Sequence, residues 1–154
     1  MFMPEPPLKL PKSALDSVET NIATTIAKGK EIRDLLADNS KQGPWDTTWE
    51  VEAAVEALHV FGSRWTIEIL AALYVPGERR FNELRHLLNG ISSRTLSDKL
   101  RSCTESGLVE RRVVDGPPVR VSYRLTEHGM VCGRLLGPMV AYMKIRNGAV
   151  EANV

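Results

Sequence analysis

Cysteine, histidine and aromatic residues are scarce in this sequence, at two, three and 6%. Two distant cysteines, Cys103 and Cys132, cannot build a disulfide framework. His59, His86 and His128 are isolated and give no metal-ligand spacing, so neither a metal nor another cofactor is expected. A phosphate-binding glycine loop and a paired nucleophile and base are also missing, which argues against an enzyme. No apolar run approaches the roughly 18 residues of a membrane span. The opening "MFMPEPPLKLPK" lacks the basic-then-apolar order of a secretion signal. These absences predict a cytoplasmic protein with no membrane partner. The 154 residues are 43% hydrophobic and 25% charged, which is ordinary for a globular domain with an appendage.

The net charge of +1 hides an uneven distribution. Residues 1–76 carry 7 basic and 11 acidic side chains, whereas residues 77–124 carry 10 basic and 6 acidic. A positive segment inside an otherwise acidic chain suits a polyanionic partner such as double-stranded DNA. A solvated charged face is the other reading of so mild a cluster.

Hydrophobic spacing organises the chain. Leu15, Val18, Ile22, Ile26, Ile32 and Leu36 recur at helical intervals, predicting a helix over 14–38 with Ser13 and Asp16 as its capping pair. "NSKQGPW" ends it with turn residues. A second helix begins near Thr47 or Thr48 and stops at Gly62. Ser63 caps a third, whose stripe is Ile67, Leu70, Leu73 and Tyr74. "RRFNELRHLL", the turn Asn89-Gly90 and a helix from Ser93 to Glu105 then make a helix-turn-helix. Beyond Gly107 the period changes from helix to strand. "LVERRVV" and "VRVSYRL", joined by "DGPP", read as a hairpin over 108–114 and 119–125. Thr126 and Glu127 open a last helix that Pro138 should kink or break. Gly129, Gly133 and Gly137 fall four apart on it; they either admit a close helix or merely loosen the element. The expected fold is mainly α with a small β-hairpin, a winged helix-turn-helix with an extra N-terminal helix and a C-terminal dimerisation helix.

Between Ser93 and Glu105, Leu96, Leu100 and Cys103 should face inward against Phe81, Leu84 and Ile67. Ser93, Arg94, Ser97, Lys99 and Arg101 are left outside, with Thr95 at an edge and Ser92 as N-cap. Small hydroxyls allow close approach to a groove, the helix N-terminus favours phosphate, and Arg94 could address guanine bidentately. Serines that only cap and solubilise an exposed helix are the alternative. In the hairpin, Arg112 and Arg120 are candidate contacts to the sugar-phosphate backbone, or else charges that guard a strand edge.

From Ala57 to Gly129 the sequence resembles the HxlR-type winged-helix transcriptional regulators. The shared pieces are Gly62–Trp65 (G-x-[KR]-W), Arg80–Leu84 (R-F-x-E-L), Gly90–Ser97 (G-I-S-x-R-x-L-S), Gly107–Arg111 (G-L-V-E-R), Pro117–Tyr123 and Leu125–Gly129 (L-T-E-x-G). The resemblance implies a homodimer on operator DNA, with a recognition helix from Ser92 to about Thr104 and a wing from Val109 to Tyr123. Arg80 joins the candidate DNA contacts on the same ground. The resemblance also implies dimerisation through terminal helices, while residues 1–45 depart from the family core; the expected regions are an extension over 1–45, a DNA-binding domain over 46–128 and a dimerisation helix over 129–154. Several members of the family sense oxidants through a cysteine at the start of the first core helix. Glu52 stands at that place here, and Cys132 is the remaining redox candidate. A small-molecule effector is compatible with the sequence but no residue set demands one. A winged helix serving as a protein-interaction module in a larger assembly is the competing function.

Overall fold

The computed structural model describes residues 6–39 and 47–153. The turn expected over 39–45 lies almost wholly outside them. The chain divides into two compact units, one of Thr48–Arg134 and one of Met1–Thr47 with Leu135–Val154.

The first of these units is a winged helix. Its helices are α2 (Thr47–Phe61), α3 (Thr66–Tyr74), α4 (Phe81–Leu87), α5 (Ser93–Glu105) and the start of α6 (Glu127–Arg146). Strands β2 (Glu78–Arg80), β3 (Val109–Val114) and β4 (Arg120–Leu125) form an antiparallel sheet in the order β2-β4-β3. The hairpin is the one expected, one residue shorter at the start of each strand. The third strand, β2, is new.

Helix α3 starts later than its spacing suggested. Ser63 does not cap it: Trp65, at φ 80°, occupies the N-cap and no side chain bonds the first turn. The buried stripe is Thr66, Ile69, Leu70 and Leu73, an i, i+3, i+4, i+7 set. Ile67, expected in the core, is turned about 100° away from Thr66 by the helical pitch and is 41% exposed. The core is completed by Leu84, Leu88, Ile91, Leu96, Leu100, Cys103, Leu108, Val109 and Leu125. Full burial of each large aliphatic side chain stabilises by about 1.5–3 kcal/mol.

At the end of α5, the chain turns through Gly107 (φ +76°). The Gly107 amide donates to the Thr104 carbonyl and the Leu108 amide to that of Cys103, at 3.0 and 2.9 Å. This paired closure satisfies two orphan carbonyls and needs a residue tolerant of positive φ. It delivers Leu108 directly into the core and Val109 into the sheet.

In the second unit, β1 (Leu8–Leu10) pairs in parallel with β5 (Val150–Ala152), with Lys9 ion-paired to Glu151 at 2.5 Å. Helix α1 spans Lys12–Asp38. It begins after Pro11, so Ser13 lies inside the helix and the expected capping pair with Asp16 does not form. Proline has a fixed φ and suits the residue preceding a helix. No residue of α1 is buried. Helix α6 runs through Pro138 without interruption, so the expected break does not occur. Gly137 precedes that proline, and with no Cβ it escapes the clash that otherwise expels a pre-proline residue from helical geometry. Among the described residues no helix is long and apolar enough to cross a membrane.

Candidate nucleic-acid interface

Ser92 begins the site. Its backbone is extended, and its hydroxyl oxygen accepts the Thr95 amide at 3.1 Å while donating to the Thr95 hydroxyl at 2.9 Å. The first serine of the cluster is therefore a structural cap, and it holds Thr95 half-buried beside it. Ser93, Arg94 and Ser97 are exposed, opposite the buried Leu96, Leu100 and Cys103. Arg85, on α4, donates from Nη1 to the Ser93 hydroxyl at 2.8 Å. That cation stands at the N-terminal end of α5. Nothing in its spacing along α4 announced it, because eight residues and a turn separate it from Ser93.

The more distant cations behave differently. Lys99 is half-buried and its Nζ bonds the Ser63 hydroxyl, in a cleft of about 330 Å³ lined also by His59, Thr66, Ser102 and Cys103. Arg101 is exposed and lies 3.9 Å from Asp98, one helical turn back. The structure thus groups Ser93, Arg94 and Ser97 on one outer face with Asp98 and Arg101, and sends Lys99 toward the flank.

On the sheet, pairing fixes which side chains share a face. Arg112 and Arg80 both stand opposite Ser122, Arg124 stands opposite both Glu78 and Glu110, and Arg120 stands opposite Val114. Alternation along the strands puts all of these on the solvent side, away from buried Val109 and Leu125. Arg112 Nη1 lies 3.5 Å from Glu78 Oε2, and the Ser122 hydroxyl donates to the other oxygen of Glu78. Arg124 Nε donates to Glu110 at 2.9 Å. That hydrogen bond holds the Glu110 carboxyl below the usual carboxylate range. Arg120 is exposed beside the wing's tip, and Arg80 is exposed at the junction with α4, where its amide donates to Glu83 at 3.0 Å.

Cys103 is 2% exposed, and burial raises its thiol pKa. Cys132 is half-buried, 4.0 Å from the His128 ring. Among the described residues no three His, Cys, Asp or Glu side chains gather as metal ligands.

The helix-turn-helix presents small hydroxyls and an arginine on its second helix and is followed by an arginine-bearing hairpin. The profile of the HxlR-like helix-turn-helix proteins fits residues 60–148. The chain belongs to this family. The HTH-type transcriptional regulator YdeP of Bacillus subtilis is 33% identical over 111 residues, 72% of this chain and 76% of that protein. A MarR-family transcriptional regulator from Enterococcus faecalis V583 superposes with a TM-score of 0.58 at 28% identity, over 71% of this chain and 94% of that one. The redox regulator HypR, in its oxidised form, gives a TM-score of 0.52 at 32% identity, over 66% and 99%. Fold and relatives are those of a DNA-binding helix-turn-helix transcriptional regulator in the HxlR-like family.

Proposed function

We propose that this HxlR-like protein is a cytoplasmic, sequence-specific regulator that binds a near-palindromic operator as a homodimer. The observation that carries the reading is the exposed Ser93, Arg94 and Ser97 face of α5, anchored by the Ser92 cap. In this reading Ser93, Arg94 and Ser97 approach base edges, while Ser92 and Thr95 shape the helix start. Arg80, Arg101, Arg112 and Arg120 serve the phosphates, and Lys99 contributes only if it leaves Ser63.

The dimer is supported by apolar side chains left largely exposed among the described residues. In the unit of Met1–Thr47 with Leu135–Val154, Ile26 and Ile32 of α1 and Leu135 and Met139 of α6 are 60–75% exposed. Surfaces of this kind mark interfaces, and a second copy would supply a matching pair of helices. The extension over 1–45 and the segment over 129–154, which carries most of α6, then dimerise, leaving 46–128 to bind DNA. Two recognition helices would enter successive major grooves about 34–36 Å apart.

Genomic DNA pulled down with the full chain supplies the operator, and a base-by-base substitution series then tests the contacts. Arg94→Ala is expected to cost about 1–3 kcal/mol at one base position and flatten preference there. An equal loss on every sequence would assign Arg94 to phosphate instead. A stoichiometric protein partner, with no duplex bound at any salt, would favour the protein-interaction module.

A further inference from the structure

We propose that the Glu78 carboxylate is a built-in competitor that occupies a phosphate site on the wing until DNA displaces it. The inference rests on the DNA-binding reading above. A guanidinium and a hydroxyl, from Arg112 and Ser122, converge on this one carboxylate from two different strands. An arginine and a serine hydroxyl are donors of the kind that recognise a phosphodiester oxygen, and a carboxylate carries the same charge and accepts the same hydrogen bonds.

Glu78 has no evident duty in the core. It is exposed at the first position of a three-residue strand, and its ion pair with Arg112 leaves both side chains more than 40% accessible. Pairs this wet add little to stability. The carboxylate does, however, neutralise the arginine that the wing would offer to DNA. It also keeps Arg112 and Ser122 aimed at a single point, so an arriving phosphate exchanges for Glu78 without rebuilding the site. The cost of that exchange falls on every duplex alike. It therefore lowers affinity for DNA of any sequence and leaves the difference between sequences to α5.

The test uses the full-length chain and a random-sequence 30-base-pair duplex, read by fluorescence anisotropy between 50 and 200 mM salt. Glu78→Gln keeps the side-chain shape and an acceptor for Ser122. It should tighten binding about 1.4- to 5-fold at each salt, because the surface ion pair no longer has to be broken, and leave the log–log salt slope little changed, because Arg112 meets the same phosphate in both proteins. Adding Arg112→Ala to Glu78→Gln should abolish the gain. Unchanged or weaker binding by Glu78→Gln, with an unaltered urea midpoint, overturns the proposal. So does a gain that persists without Arg112, since it would reflect net charge alone. Failure of the wild-type chain to bind any duplex at 50 mM salt would remove the DNA-binding reading itself, and the proposal with it.

Discussion

Gly129, the third residue of α6, is buried against the Leu108 carbonyl. A methyl group built there would lie 2.2 Å from that oxygen and 3.3 Å from a methyl of Leu125. The oxygen cannot step aside freely, because it already accepts the Thr126 amide at 3.0 Å. Leu108 itself is 1% exposed and donates its own amide to Cys103. For Gly129→Ala, the carbon–oxygen separation must open by roughly 1 Å or more to reach attractive contact. Overpacking of that size costs about 1–3 kcal/mol. Weakening the Thr126 bond adds about 1 kcal/mol, and the better helix propensity of alanine returns about 0.5–1 kcal/mol. The expected net loss is about 1–3.5 kcal/mol, centred near 2 kcal/mol. At a urea dependence of about 1–3 kcal/mol per molar, a loss near 2 kcal/mol lowers the midpoint by about 0.7–2 M. Gly29, midway along α1, has nothing within 4 Å of the same built methyl. There the identical substitution should stabilise by about 0.5–1 kcal/mol. Urea titrations followed by circular dichroism compare the two. A Gly129→Ala chain as stable as wild type would refute the packing argument, and a destabilised Gly29→Ala would show that α1 is covered where it is taken to be open.

Other expectations concern the cap and the thiols. Ser92→Ala removes the acceptor for the Thr95 amide, so it should destabilise by about 0.5–2 kcal/mol and weaken DNA binding through the frayed start of α5, whereas Ser92→Asp should restore stability; equal midpoints for all three would deny the cap. Burial favours the neutral Cys103 thiol in the folded state. The stability this gives is present below the unfolded thiol pKa, about 8.5, and is lost as pH rises through the higher folded value. Stability should therefore fall more steeply above pH 8.5 than in Cys103→Ala. In the native protein at pH 7.5 iodoacetamide should label Cys132 well before Cys103, as mass spectrometry of peptides would show; prompt labelling of Cys103 would contradict its burial.

Much of the winged helix was legible because its signals are local. Ser92 declares its cap by residue type, the change of period beyond Gly107 marks the hairpin, and Leu96, Leu100 and Cys103 share a common face. The errors have equally local causes. Ser63 looked like a cap, but Trp65 takes the left-handed conformation and starts α3 three residues past Ser63, which brings Ile69 inward and Ile67 outward. Strands β1, β2 and β5 have three residues each, too few for alternation to register, and Glu78–Arg80 reads as a charged surface. Such strands exist because a distant backbone pairs with them. The carboxylates at the wing escaped notice for the same reason: Glu78 meets Arg112, and Glu110 meets Arg124, only once the register of the sheet is set. Lys99 was placed outside by helical spacing alone, but a long side chain at the flank of the buried stripe could reach Ser63.

The parallel pairing of Leu8–Leu10 with Val150–Ala152 ties together segments about 140 residues apart, and closing so long a loop costs about 4 kcal/mol in chain entropy. Three residue pairs return little of that by themselves. This small clasp should accordingly be among the last contacts to form as the protein folds and among the earliest to let go, leaving the winged helix intact while the ends of the chain come apart.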